Sequence, residues 1–88
     1  MTIVKRFYSI YANYITVIGV IILISYKPFW KTLEEKSIST YTLINKFGIS
    51  SATIDRMKKG KGISTMKIND FCEILDCTVS DIIEYEKN

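Results

Sequence analysis

An all-α domain of five short helices, preceded by an apolar N-terminal helix or tail, is the fold class predicted for this 88-residue chain. Three observations predict it. From residue 25 onward, apolar side chains recur at helical spacing in every strong element. Glycines and small hydroxyl residues stand where one such run stops and the next starts, as helix ends and caps require. The helices also divide the charge: residues 25–67 carry nine Lys or Arg against three acids, a net +6, and residues 68–88 carry one Lys against six acids, a net −5. Lys5 and Arg6 close the sum at +3.

The first helix starts at Pro28, whose ring suits a first helical turn, and Phe29, Trp30 and Leu33 give it an apolar face up to Glu35 and Lys36. Ser37–Ser39 connect it to a second helix capped by Ser39 or Thr40, with Leu43, Ile44 and Phe47 on one face. Gly48 can take the left-handed conformation that ends this helix, and Ser50 can cap a third running from Ser51 to about Lys59, with Ile54 and Met57 inward. Gly60-Lys61-Gly62 is a loop, followed by Ser64 or Thr65 as the cap of a fourth helix bearing Ile68, Phe71, Ile74 and Leu75. A fifth helix begins at Ser80 and carries Ile82, Ile83 and Tyr85. The expected core is Trp30 or Phe29, with Leu33, Leu43, Phe47, Ile49, Ile54, Met57, Ile68, Phe71, Ile74, Val79 and Ile82. It draws nothing from before Pro28 and contains no sheet.

Residues 1–24 differ from the rest and form a separate apolar N-terminal segment ahead of the folded unit at 25–88. Ile15–Ile24 is broken only by Thr16 and Gly19, with Lys5 and Arg6 ahead and Lys27 behind. Residues 7–24 are long enough for a marginal membrane span. A signal peptide fits less well, because no small-residue cleavage site follows. The favoured reading is a false-start extension, with the natural start at Leu23. A β-branched arm pairing with a partner chain is a further reading. On the favoured reading, a chain starting at Ser25 folds and binds as well as the full one, and the protein is cytoplasmic. The rival is an inner-membrane anchor with the folded unit in the cytoplasm.

Composition excludes several classes of function. With no histidine and no cluster of ligating side chains, there is no catalytic set, no metal site and no evident cofactor or small-molecule ligand. Ser50 and Ser51 have no base beside them. Cys72 and Cys77 read as small hydrophobes, since positions five apart on a continuous helix do not face each other for a disulfide. What remains is a pair of helices joined by a turn of about three residues, crossing steeply, with Lys58, Lys59 and Lys61 beside the exposed face of the second. That is a helix-turn-helix facing a polyanion.

From Ser25 to Tyr85 the chain resembles the Cro/CI-type helix-turn-helix domains of the lambda-repressor-like fold, in particular the small stand-alone bacterial regulators. The resemblance rests on Leu43, Gly48-Ile49-Ser50, Thr53-Ile54, Arg56, Gly60-Lys61 and the closing run from Ile74-Leu75-Asp76-Cys77 to Val79-Ser80-Asp81-Ile82-Ile83. Ile44 departs from the family, which usually has a small residue where the two helices cross. The resemblance implies a sequence-specific regulator of transcription, a repressor, binding double-stranded DNA as a homodimer through the last helix around Ile83 and Tyr85. The third helix would enter the major groove. Its base-facing positions are then Ser51, Ala52, Asp55 and Arg56, with Arg56 as the guanine reader and a salt bridge to Asp55 or a first-helix acid as the alternative role. Thr40 would meet a phosphate, Ser50 at the start of the third helix would belong to the DNA-binding set, Thr53 would support the turn, and Lys58, Lys59, Lys61 and Lys67 would meet the backbone charge. An antitoxin-like or other protein-binding module, and a membrane-tethered regulator, are the rival functions.

Overall fold

The computed structural model describes residues 24–86, and the apolar stretch 7–24, apart from Ile24, lies outside them. Four α-helices follow in order: α1 (Lys27–Lys36), α2 (Thr40–Asn45), α3 (Ser51–Lys58) and α4 (Thr65–Leu75). A single 3-10 turn, Val79–Asp81, leads to a two-residue strand. That strand, β2 (Glu84–Tyr85), pairs antiparallel with β1 (Ile24–Ser25), Ile24 opposite Tyr85 and Ser25 opposite Glu84. Among the described residues no helix is long and apolar enough to cross a membrane.

Each helix starts where a side chain satisfies an otherwise unpaired amide, and in α1 that side chain is Ser25, whose hydroxyl accepts from the Lys27 amide at 3.1 Å. Ser39 accepts from the Thr42 amide at 3.0 Å, Ser50 from Ala52 at 3.0 Å and Ser64 from Lys67 at 3.2 Å. α1 also has Pro28 in its first turn, where a missing N–H costs nothing. Between α2 and α3 the chain turns at Gly48, at a φ of 73° that a side chain would strain, and the Ile49 amide donates back to the Leu43 carbonyl at 3.0 Å.

The core gathers one face from every helix. Phe29, Leu43, Phe71 and Ile82 are wholly buried, and Leu33, Ile49, Ile54, Met57 and Leu75 join them. The Phe29 and Phe71 rings lie 4.8 Å apart in a tilted pair, and Trp30 meets Phe29 edge-on while staying half-buried. Burying a side chain of this size contributes about 1.5–3 kcal/mol, so these contacts hold the helices together. Ile68 and Ile74 pack at the margin.

Four expectations are corrected. The fifth helix contracts to one 3-10 turn, because Val79, Ile82 and Ile83 are β-branched and the following two residues gain strand partners instead. Asp81 holds that turn: its carboxylate accepts from the Thr78 amide at 3.0 Å, while its carbonyl accepts from the buried Thr32 hydroxyl at 2.8 Å. Second, there is a sheet, small as it is, and the core reaches before Pro28, since Tyr26 is buried. Third, Phe47 and Val79 lie outside the core, 40% and 53% exposed. α2 stops at Asn45, which puts Phe47 in the turn under the Lys46 ammonium, 5.6 Å from its ring. Fourth, Cys72 and Cys77 do not lie on one continuous helix. α4 ends at Leu75, and Asp76 takes the left-handed conformation and turns Cys77 back.

Candidate nucleic-acid interface

The two faces of α3 divide its labour. Thr53, Ile54 and Met57 point into the core, while Ser51, Ala52, Asp55, Arg56 and Lys58 remain exposed. Beside the exposed face runs an open groove between α2 and α3. It is lined by Thr40, Ile44, Ser51, Ala52, Ile54, Asp55 and Lys58. Thr40 sits there because the Ser39 cap starts α2 one residue earlier, and Ser51 because the Ser50 cap does the same for α3. Ile44 and Ile54 supply its apolar floor, at the place where the two helices meet.

The other predicted residues are placed differently. Ser50 caps α3 with its hydroxyl and is not part of the groove lining. Lys59 pairs with Asp55 at 3.0 Å, one helical turn apart, both more than half exposed. Such a surface pair stabilises the helix by only a few tenths of a kcal/mol. Arg56 has no salt bridge to Asp55 or to an acid of α1 among the described residues; instead its Nε donates to the Gly62 carbonyl at 2.8 Å. Lys58 and Lys61 have no ion-pair partner among the described residues, and both are exposed.

A clamp that the spacing of apolar residues did not reveal holds the loop after α3. The Tyr26 hydroxyl donates to the Lys61 carbonyl at 2.8 Å, and the Lys61 amide donates to the Arg56 carbonyl at 2.8 Å. Together with the Arg56–Gly62 bond, this ties residues 60–63 to the end of α3 and to the segment before α1. Tyr26 precedes the first periodic helix, so no helical pattern reaches it. Its position directly before the Lys27-Pro28 helix start was the available signal.

Burial raises the Tyr26 phenol above its ordinary value near 10, against the opposing pull of the Arg56 charge and the Ile63 amide. A raised acid titrates later in the folded chain than in the unfolded one. The stability it confers is therefore complete below about pH 10 and is lost as pH rises through the folded value. Tyr26→Phe should cost about 0.5–1.5 kcal/mol at pH 7, the net worth of one hydrogen bond. The gap between wild type and variant in urea melts should narrow above pH 10. A constant gap up to pH 11 would show that the hydroxyl is not held as described.

Residues 29–88 match the model of the Cro/C1-type helix-turn-helix DNA-binding domain. The chain belongs to this family. It is also similar to a solved structure, crystal form II of the transcriptional regulator VanUg, at 29% identity. That likeness covers 75% of this chain and 88% of the other, with a TM-score of 0.68. No curated protein matches the chain. As a Cro/C1-type domain, the chain has α2 and α3 as its helix-turn-helix pair, and the exposed face of α3 is the side left free by packing.

Proposed function

We propose that this Cro/C1-type domain is a sequence-specific, double-stranded DNA-binding regulator of transcription, a cytoplasmic repressor that inserts α3 into the major groove. The observation that carries this reading is the split of α3 into a buried Thr53–Ile54–Met57 face and an exposed Ser51–Ala52–Asp55–Arg56–Lys58 face beside the groove. Basic side chains on the exposed side supply the attraction, and the acids between Asp70 and Glu86 belong to neither α2 nor α3. Ser51 bonds a base or phosphate, Ala52 meets a thymine methyl, and Thr40 gives its hydroxyl to a phosphate across the groove.

Arg56 is the base reader in this scheme. The Gly62 carbonyl occupies Nε and holds the guanidinium plane, leaving both terminal nitrogens for the two acceptors of a guanine. Arg56→Ala should therefore lose about 1–3 kcal/mol of discrimination at one base pair, with little change in salt slope. The check is affinity against salt on a selected operator and on random DNA. Equal losses on both DNAs would demote Arg56 to a phosphate contact. No DNA binding by the wild type at low salt would replace the regulator with an antitoxin-like or other protein-binding module.

One domain covers a half-site, so a homodimer reads an operator whose half-sites lie about 34 Å apart. The region around Ile83 and Tyr85 supports the dimer contact: Tyr85 is 63% exposed and lies opposite Ile24, itself 45% exposed. Two adjacent apolar side chains left in water at one end of the fold are suited to meeting their copies.

A further inference from the structure

Helices α1 and α4 end by the same backbone device. In α1, Ser37 turns left-handed at φ 55°, and the Ile38 amide donates to the Leu33 carbonyl at 3.0 Å. In α4, Asp76 turns left-handed at φ 52°, and the Cys77 amide donates to the Cys72 carbonyl at 3.1 Å. This helix stop brings the side chains of the bonded residues together and is commonly sealed by an apolar contact. In α1 the sealing pair is Leu33 and Ile38. In α4 it is two cysteines, both free and half-buried.

We propose that Cys72 and Cys77 are a modification site: a dithiol that a low-molecular-weight disulfide closes into an intramolecular bridge and a small thiol reopens. The backbone hydrogen bond between the two residues, formed where the chain turns back at Asp76, keeps their Cα atoms close at the helix end, as a bridge requires. Burial, and next the Cys72 thiol, push Cys77 up to about 11. That keeps exchange slow at neutral pH, since the thiolate is the attacking species.

The chemistry balances in two steps. One cysteine thiolate attacks a sulfur of oxidised glutathione, breaking its S–S bond, forming a mixed disulfide and releasing one glutathione. The second thiolate attacks the protein sulfur of that mixed disulfide, closing Cys72 to Cys77 and releasing the other glutathione. The protein loses two electrons and two protons, and one oxidised glutathione becomes two reduced ones. The bridge joins the end of α4 to the segment that enters the 3-10 turn.

The test is to equilibrate the full chain in reduced and oxidised glutathione at pH 8, then quench with acid, alkylate and read the intact mass. A loss of about 2 Da with no alkylated cysteine is expected for the wild type, and its absence in Cys72→Ser and Cys77→Ser. The bridging equilibrium constant should be about tenfold or more larger in the native chain than in denaturing urea, because the folded helix end holds the sulfurs together. Equal constants in the two conditions would overturn the site. So would glutathione adducts or disulfide-linked dimers in place of the 2 Da loss.

Discussion

Phe71→Ala should cost about 3–5 kcal/mol, the range for removing a fully buried phenyl ring and leaving a cavity. Phe71 has no exposed surface, and its ring packs 4.8 Å from that of Phe29. A folded unit of this size has only about 3–9 kcal/mol in hand, at roughly 0.05–0.15 kcal/mol per residue. The variant should therefore be largely unfolded at 37 °C and show a sharply lowered urea midpoint, with loss of far-ultraviolet helical signal. Phe47→Ala is the internal control, because Phe47 sits in the turn, 40% exposed. It should cost under about 1 kcal/mol, in keeping with substitutions outside the core. Equal losses for the two phenylalanines would show that the core has been placed wrongly.

Replacing Lys58, Lys59 and Lys61 together with glutamine should lower the salt slope of DNA binding by about 2–3 units, at roughly 0.9 per phosphate contact. Binding to a selected operator and to random DNA should weaken alike, since phosphate contacts carry no sequence information. The single variants should differ. Lys58 and Lys61 have no ion-pair partner among the described residues, so each loss removes attraction and nothing else. Lys59 neutralises Asp55 at 3.0 Å, and its removal leaves that carboxylate unmatched on the exposed face of α3. Lys59→Gln should therefore weaken binding more than its share of the slope accounts for, and Asp55→Asn in the same chain should restore the excess. A salt slope unchanged in the triple variant would place the phosphates elsewhere on the protein.

Much of the helix-turn-helix scaffold was legible because its determinants are local. Ser50 caps α3 as its position ahead of the apolar run indicates, the structure settles the other two caps on Ser39 and Ser64 in place of Thr40 and Thr65, and Gly48 takes the left-handed turn that only a residue without a side chain adopts freely. The inward face of α3 follows from the spacing of Ile54 and Met57. Arg56 was less legible. Composition places a guanidinium there, but its bond to Gly62 depends on a loop folding back over six residues, which no periodicity encodes.

Helix positions, the tight turn between α2 and α3, and the basic character of that pair were determined by the sequence itself, since capping, helical spacing and charge act within a few residues. Only the tertiary structure decided the two ends. Val79–Tyr85 could have continued as a helix on local grounds, yet Glu84 and Tyr85 find backbone partners in Ser25 and Ile24, and Ile82 fills the core. Those partners lie about sixty residues away in the chain, so their pairing follows from where α1 and α4 bring these two segments. Tyr26 enters the core for the same reason, because the carbonyl that receives its hydroxyl belongs to a loop 35 residues further on.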